Sequence, residues 1–213
     1  MIPRKPVFAS KYILSTVKNF ELCLSREVLA ESELNWVQDV LEQYFSEVEV
    51  TPSIKQAREE FLKLKNNGLA GTIDKRVPFH HEELDPSSID FSAFKTLCEK
   101  RHSVRWFKPQ PVPRHIIDQA IAVAVTAPSA CNRQPFQFFV FDDPEQASEI
   151  GSIPMGTAGF SDNFQCILVV VADLSAYPLE RDRHIIYIDS ALASMQLLLA
   201  FETQGLSSCV INW

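Results

Sequence analysis

Hydrophobic residues in the first part of the chain recur mostly with the spacing of an amphipathic α-helix. Five of them share one face of a predicted helix, at i, i+3, i+4, i+7 and i+8: Val37, Val40, Leu41, Tyr44 and Phe45. Ser32 precedes this stripe and is the expected N-cap. The pattern therefore predicts a helix whose apolar face packs against a core.

A second helix is predicted to begin at Thr51-Pro52 and to end at Asn67-Gly68. Its inward residues share one face: Ile54, Ala57, Phe61 and Leu62. Residues 71–88 contain two prolines and few apolar residues, which predicts a surface connection. We therefore interpret residues 1–90 as a helical N-terminal extension.

The acidic residues of this extension leave two interpretations open. Between positions 21 and 60 there are ten acids and three bases. Charged residues on helices usually face water, so one interpretation is a solvated outer surface. The other is a surface that recruits a partner.

After residue 90, short helical patterns alternate with β-favouring runs. Asp90 is the predicted cap of a short helix whose apolar residues lie on one side: Phe91, Phe94, Leu97 and Cys98. Val112-Pro113 opens a helix with a narrow stripe suited to close packing: Ile117, Ala120, Ile121 and Ala124.

Two runs predict strands, Phe136–Phe141 and Ile167–Ala172. The second is nearly all apolar and is predicted to be buried on both faces. Residues 184–203 predict a long helix that is apolar around most of its circumference, lying centrally or at a subunit interface. Gly205 is its expected C-cap, and residues 208–213 predict the beginning of another strand.

Composition and charge narrow the class of protein. The chain has 213 residues, is 46% hydrophobic and carries a net charge of −7, which indicates a globular protein and argues against nucleic acid or an anionic membrane as partner. Its five cysteines form no C-x-x-C pair, which predicts reduced thiols and no zinc site. The N-terminus lacks the apolar region of a signal peptide, and the longest apolar run is too short to cross a bilayer, so we expect a cytoplasmic protein.

Two segments carry polar chemistry, and each has a structural alternative. Arg101 and Arg105 place two guanidinium groups four residues apart, with the Ser103 hydroxyl between them, which suits an anionic group such as phosphate. The alternative is a solvated basic turn. Residues 128–135 form a loop bounded by prolines that carries Ser, Asn and Gln, which suits the edge of a heterocycle. The alternative there is an ordinary connection from helix to strand.

In order along the chain, the motifs are Arg101-His-Ser-Val-Arg-Trp-Phe107, the helix opened by Val112-Pro113, Ala127-Pro-Ser-Ala-Cys-Asn-Arg-Gln-Pro-Phe136 before a strand, the apolar strand at Ile167, Tyr187-Ile-Asp-Ser-Ala-Leu-Ala-Ser-Met-Gln-Leu-Leu-Leu-Ala200, and Gly205-Leu206. Together they resemble the nitroreductase family of FMN-dependent oxidoreductases, over about residues 91–213. The resemblance implies an α+β fold with a mixed or mostly antiparallel sheet flanked by helices. It also implies a homodimer, with the helix over 184–203 near its axis.

The resemblance assigns cofactor-binding roles position by position. Arg101 and Ser103 match residues that hold the FMN phosphate and ribityl chain, with His102 in the same turn. Arg105 matches a basic residue at the pyrimidine edge of the isoalloxazine, where a fixed positive charge stabilises the negative charge of the reduced ring. A further set matches a loop that reaches the flavin from the partner subunit: Pro128, Ser129, Ala130, Asn132 and Gln134.

The family pattern differs from this chain near its last residues. Asn212-Trp213 stand where many members have Gly-Gly or Glu-Gly, a pair that gives a backbone N–H to flavin N5. The family's later strand, which carries a basic phosphate ligand, would follow Trp213. We therefore expect residues 91–213 to be a C-terminally incomplete FMN-binding domain.

The function implied by the resemblance is that of an NAD(P)H oxidoreductase. A nicotinamide passes hydride to flavin N5, and a small acceptor such as a nitroaromatic or a quinone then takes the electrons, with no protein nucleophile or metal. The alternative hypothesis is a non-catalytic flavin- or nucleotide-binding protein whose acidic N-terminal helices recruit a partner.

Overall fold

The computed structural model describes residues 5–66 and 75–212. The chain divides into two compact units, residues 1–86 (unit 1) and 87–213 (unit 2). Three predicted features fall outside the described residues: the helix end at Asn67-Gly68, the beginning of the surface connection at 71–74, and the last strand residue, Trp213.

Unit 1 is built from three helices, α1 (Ile13–Arg26), α2 (Glu31–Glu47) and α3 (Pro52–Asn66). The spacing arguments predict α2 and α3 but not α1. The inward faces of all three helices, with the residue that follows α2, form one apolar core: Ile13, Val17, Phe20, Leu41, Tyr44, Phe45, Val48, Ile54, Ala57 and Phe61.

The burial of Leu41, Tyr44 and Phe45 confirms the stripe predicted for α2. On α3, the inward set is confirmed except for Leu62, which is 47% exposed. Successive residues of an α-helix point about 100° apart. Because the buried Phe61 sets the core-facing direction, Leu62 is turned away from the core.

The predicted cap of α2 is wrong, whereas the predicted beginning of α3 at Thr51-Pro52 is confirmed. α2 begins one residue before Ser32, and Ala30 is its N-cap. The Ala30 backbone N–H donates to the Glu33 carboxylate at 2.9 Å, so a glutamate in the first turn satisfies the helix end. In α3, the Thr51 hydroxyl accepts the Ile54 N–H at 3.4 Å.

Unit 2 combines helices with a strand pair. In chain order its elements are α4 (Phe91–Lys100), α5 (Arg114–Ala124), β1 (Phe136–Phe141), α6 (Pro144–Gly151), β2 (Ile167–Ala172) and α7 (Ile185–Thr203). β1 and β2 pair antiparallel, in the register Phe136↔Ala172 to Phe141↔Ile167. Both strands and the α+β class are therefore confirmed.

The main core of unit 2 lies between α5 and α7. Its buried residues are Ile117, Ala120, Ala124, Leu197, Ala200 and Phe201, with Ile121 partly buried against them. Small residues on α5 let the two helices approach closely, as its narrow stripe predicts. The side chains of Phe138 and Leu168 pack on the same cluster and join it to the strand pair.

Gly205 closes α7, as predicted. Its φ is +75°, a left-handed conformation that glycine adopts without steric cost. The Leu206 N–H donates to the Phe201 carbonyl at 3.0 Å, and the Gly205 N–H donates to the Glu202 carbonyl at 3.2 Å. This pair of bonds is the Schellman arrangement that ends many helices.

α7 keeps part of its apolar circumference exposed. Tyr187 is 70% exposed, and Ile188, Leu192 and Met195 are exposed as well. By length and composition alone, residues 180–203 meet the criteria for a membrane-spanning helix, which core helices of soluble proteins also meet. The exposed face of α7 therefore has no cover among the residues that the structure describes.

Two predictions for unit 2 are wrong in part. β2 is not buried on both faces, since Val170 and Val171 are 38% and 46% exposed and only β1 pairs with it among the described residues. Residues 208–212 form no strand, because Ser208 makes only an isolated bridge. The predicted Asp90 cap of α4 is confirmed, because Asp90 accepts the Ala93 N–H at 2.8 Å. α4 has no buried residue, and Phe91 is 80% exposed.

Candidate functional site

The first candidate segment, residues 101–105, leaves the end of α4 in extended conformation. Ser103 forms a parallel bridge with Ser208, and the Val104 N–H donates to the Ser208 carbonyl at 3.0 Å. The Lys100 ammonium lies 3.5 Å from the Glu202 carboxylate on the last turn of α7. The segment is therefore held at the C-terminal end of α7.

The guanidinium groups of Arg101 and Arg105 pair with no acceptor among the described residues. Arg101 is partly buried and Arg105 is exposed. His102 differs, because its Nδ1 is bonded to the Lys100 carbonyl at 2.8 Å, which orients the ring within the turn. Two unpaired guanidiniums four residues apart form a donor set suited to an oxyanion.

Asn163, which the sequence analysis missed, fixes the backbone next to Arg105. Its Oδ1 accepts the Phe107 N–H at 2.6 Å, and its Nδ2 donates to the Arg105 carbonyl at 3.0 Å. One amide thus satisfies a donor and an acceptor two residues apart. Because Asn163 is 56 residues from Phe107, no local spacing signals this contact.

Arg105 also lines an open cleft of about 450 Å³. Ligand sites of small molecules are about 300–1,000 Å³. The other lining residues come from the segment after α6 and from the last described residues: Ile153, Pro154, Met155, Gly156, Val210, Ile211 and Asn212. The cleft therefore combines one unpaired cation with mostly apolar walls.

The second candidate segment, residues 128–134, is a strained loop. Cys131, Asn132 and Gln134 have φ values of +55°, +52° and +46°, in the left-handed region that non-glycine residues seldom adopt. The Ser129 hydroxyl accepts the Gln134 N–H at 3.0 Å, and the Gln134 Nε2 donates to the Val125 carbonyl at 2.7 Å. Part of the polar capacity predicted for ligand contact thus holds the loop itself.

Groups of this loop remain available to a ligand. The Asn132 side chain is exposed and has no hydrogen-bond partner among the described residues. The Ser129 hydroxyl proton and the Gln134 Oε1 are also unused by the contacts above. Pro128 and Ala130 contribute to the backbone shape of the loop. The Ala130 backbone is held in place by an anchor on α7.

That anchor is Asp189 on α7, a second residue without a predicted role. Asp189 is 3% exposed, and its carboxylate accepts the Ala130 N–H at 3.2 and 3.3 Å. The Tyr177 hydroxyl donates to the same carboxylate. Burial raises the pKa of Tyr177 to about 12, and the hydrogen bond to Asp189 acts in the same direction.

Arg133 ties the loop to the segment that carries Tyr177. Its Nη1 donates to the Ala176 carbonyl at 3.0 Å, and its guanidinium carbon lies 5.1 Å from the centre of the Tyr177 ring. The loop is therefore fixed on two sides, which is the rigidity expected of a preorganised binding element.

Within one chain the two candidate segments contact α7 near opposite ends. Lys100 pairs with Glu202, whereas Ala130 is bonded to Asp189. These two positions of α7 are 13 residues apart, or about 20 Å along a helix axis. The structure thus does not bring the segments together on the same part of α7.

The sequence His80-His81-Glu82-Glu83 contains side chains of the types that bind metal ions. A short 3-10 turn covers His81–Glu83. Among the side chains that the structure describes, which do not include that of His81, no group of three or more His, Cys, Asp or Glu is placed to hold a metal ion.

Comparisons with known proteins define the class of this fold. Residues 98–158 match the family model for the nitroreductase family. Unit 2 shares its fold with the solved structure of a nitroreductase family protein from Clostridium novyi NT, at a TM-score of 0.50 and 24% identity over 56% of this chain and 70% of the other. The resemblance to the nitroreductase family is thereby confirmed.

Curated relatives match shorter stretches. The chain is 42% identical over 60 residues to "Iodotyrosine deiodinase" of Danio rerio, covering 28% of this chain and 20% of that protein. It is 34% identical over 80 residues to "NADH dehydrogenase" of Thermus thermophilus, covering 38% of each. This chain therefore spans about a fifth to two fifths of the length of these relatives.

Proposed function

We propose that this protein is an FMN-dependent oxidoreductase of the nitroreductase type, with flavin sites shared between two copies of the chain. The observation that carries the proposal is the pair of unpaired guanidiniums, Arg101 and Arg105, at one end of α7, opposite a fixed polar loop at the other end. The family match over residues 98–158 includes both segments and supports the same assignment.

The residues of the first segment suit the phosphate end of FMN. Arg101 provides a permanent, forked cation for a phosphate oxygen, and the Ser103 hydroxyl adds a donor two residues on. The bond between Val104 and Ser208 keeps the segment extended, so alternate side chains point the same way. His102 is bonded to its own turn and supports the shape of the cradle.

The role of Arg105 is electrostatic, and it takes part in no covalent step. Asn163 fixes the backbone of Arg105, and Arg105 lines the cleft of about 450 Å³. A cation held beside the flavin's pyrimidine edge favours the reduced ring, because reduction places negative charge there. Because Arg105 is exposed and the cleft is open, solvent screens part of this interaction.

When bound, FMN supplies the hydride chemistry at N5 that links NAD(P)H to a small acceptor. The residues of the chain would then bind FMN, orient the substrates and tune the reduction potential of the flavin. These roles require no catalytic dyad of a nucleophile and a general base. The cleft beside Arg105 is open enough to admit substrates in turn.

A homodimer brings the two segments to one site. A two-fold axis that crosses the middle of α7 places the C-terminal end of one helix beside the N-terminal end of its partner. Arg101 of one copy then meets the 128–134 loop of the other. The exposed apolar residues Ile188, Leu192 and Met195 supply a face that such a dimer would cover.

The acceptor class has two candidates. Nitroaromatics and quinones are the acceptors implied by the family resemblance. The 42% identity to "Iodotyrosine deiodinase" over 60 residues adds halogenated phenols as a second candidate. In that reaction two electrons and a proton replace a carbon–iodine bond with a carbon–hydrogen bond and release iodide.

The direct test is a fluorescence titration of the purified protein with FMN, compared with Arg101→Ala and Lys108→Ala. Lys108 is a nearby exposed cation with no ion pair among the described residues, so it is the matched control. We expect Arg101→Ala to weaken FMN binding by about 1.5–3 kcal/mol and Lys108→Ala to leave it unchanged. Equal FMN affinity in all three proteins would contradict the assignment.

Activity then separates the enzyme from the non-catalytic alternative. NADPH consumption is followed with a nitroaromatic, a quinone and iodotyrosine as acceptors. Turnover with any of them supports an oxidoreductase and identifies the acceptor class. FMN binding without turnover of any acceptor, with either NADH or NADPH, would favour the binding protein.

A further inference from the structure

Unit 1 gathers cations at one cleft, although the charged residues of 21–60 are mostly acidic. Residues 21–60 contain ten acids and three bases. Yet Arg58, Lys65 and Lys75 all line a cleft of about 420 Å³, together with Glu42 as its single acid. This cleft lies outside the family-matched region and is independent of the flavin site.

Glu42 neutralises only part of this charge. Its carboxylate lies 2.8 Å from the Lys65 Nζ and 3.2 Å from the Lys75 Nζ. The hydrogen bond from Lys65 is the largest cause that lowers the pKa of Glu42 to about 2, so the carboxylate is charged at neutral pH. Three cations against one carboxylate leave the cleft with two excess positive charges.

Arg58 is the deepest of the cations and is incompletely bonded. Its Nη2 donates to the Phe45 carbonyl, and its guanidinium carbon lies 5.8 Å from the centre of the Phe45 ring. Its Nε is buried and has no hydrogen-bond partner in the described part of the chain. A buried charged N–H without an acceptor is rare in folded proteins, so Arg58 keeps one donor that an anionic acceptor would satisfy.

We propose that this cleft binds a phosphate group, with Arg58 as the central donor and with Lys65 and Lys75 at the rim. An arginine fork matches the oxygens of a phosphate, and lysines add charge from flexible stems. The excess of two positive charges matches a phosphate dianion better than a single carboxylate. Phe61 and Leu62 also line the cleft and offer apolar contact to an organic ester.

The test is isothermal titration of the purified full chain with inorganic phosphate and with phenyl phosphate, at constant ionic strength set with chloride. Inorganic phosphate measures the anion site alone. Phenyl phosphate measures whether the apolar wall adds affinity. Tighter binding of the ester identifies a phosphorylated organic molecule as the ligand, and equal binding identifies free phosphate.

Three variants locate the site. Arg58→Gln is expected to weaken phosphate binding at least tenfold, and Lys75→Gln several-fold. Lys63→Gln is the matched control, because Lys63 is an exposed lysine of α3 that pairs with Glu60 at 3.1 Å and does not line the cleft. If Arg58→Gln does not fold, the phosphate affinities of Lys75→Gln and Lys63→Gln still test the site, because both substitutions change solvent-exposed side chains.

A second readout reports on the buried donor itself. The Arg58 Nε–H resonance in a nitrogen–proton NMR spectrum is expected to shift on addition of phosphate and to saturate with the calorimetric affinity. Arg101→Ala should leave both signals unchanged, which separates this cleft from the proposed flavin site. The absence of wild-type binding at millimolar phosphate, or equal weakening by Lys63→Gln and Lys75→Gln, would overturn the proposal.

Discussion

Tyr177 donates a hydrogen bond to the buried carboxylate of Asp189, and the same carboxylate holds the backbone of Ala130. A carboxylate that is 3% exposed needs such partners, because a buried charge without them is very costly. The pair therefore couples three parts of unit 2, namely α7, the segment before it and the strained loop that follows α5. The conformation of the candidate binding loop therefore depends on the buried hydrogen bond between Tyr177 and Asp189.

Replacing Tyr177 with Phe tests this relationship through stability. The loss of a hydrogen bond to a buried charge is expected to lower the free energy of unfolding by about 1.5–3 kcal/mol. Urea denaturation at neutral pH measures the difference. Tyr12→Phe is the control, since Tyr12 is exposed and has no side-chain hydrogen bond in the described structure. An unchanged stability in Tyr177→Phe would show that the bond contributes nothing.

The same variant has an alkaline signature. Burial raises the pKa of Tyr177 from 10.0 to about 12 in the folded state. The unfolded chain then loses this proton first, so the associated stability is present below pH 10 and is lost as the pH rises towards 12. The wild-type protein should therefore lose more stability over this interval than Tyr177→Phe, as urea midpoints at each pH will show.

Glu42 gives unit 1 an acid-dependent stability. Lys65, as the main cause, helps to lower the pKa of Glu42 from 4.5 to about 2. The associated stability is present above pH 4.5 and is lost as the pH falls towards 2. Glu42→Gln should flatten this part of the acid unfolding curve, whereas Glu60→Gln, in a more exposed pair with Lys63, should change it less. Identical curves for both variants would contradict the role of Glu42.

Arg101 and Arg105 are predicted to differ in what they control. Arg105→Ala should retain FMN better than Arg101→Ala, because the phosphate is charged in both redox states. It should instead lower the flavin's reduction potential, by about 20–40 mV if about 1–2 kcal/mol of reduced-state stabilisation is lost. A redox titration that gives the wild-type potential for Arg105→Ala would refute its electrostatic role.

The exposed face of α7 predicts a homodimer. Leu192→Glu puts a charge in the middle of this face and should convert the protein to monomers and reduce FMN binding in parallel. Leu22→Glu is the control, because Leu22 in unit 1 and Leu192 have similar exposures of 45% and 42%. Light scattering at micromolar concentration measures the mass. A monomeric wild-type protein would exclude the shared site.

Elements with strong local patterns were predictable from the sequence. β1, β2 and α5 are set by runs of β-favouring residues and by the spacing of small apolar residues, and Gly205 ends α7 through its own backbone freedom. The α+β class follows from these elements together. Arg101 and Arg105 could be proposed as candidate site residues because their spacing is visible in one short motif.

Features that depend on distant residues were not predictable. Asn163 and Asp189 act on backbone groups 56 and 59 residues away, which no local spacing reveals. Residue type favours Ser32 as the cap of α2, but the Glu33 side chain accepts the Ala30 N–H at the beginning of the helix. The apolar character of β2 predicts burial on both faces, but it does not show which faces have a neighbouring element, and Val170 and Val171 are exposed.

Mixed dimers test the central claim of a flavin site shared between two copies most directly. Arg101→Ala disables the phosphate segment, and Asn132→Trp blocks the exposed loop. The two variants are co-expressed with different tags, and the heterodimer is isolated by two affinity steps. If each site takes the segment from one copy and the loop from the other, the heterodimer contains one intact site and binds one FMN with wild-type affinity, although each parent homodimer binds poorly. A heterodimer that binds FMN as poorly as both parents would place each site within a single chain and contradict the account.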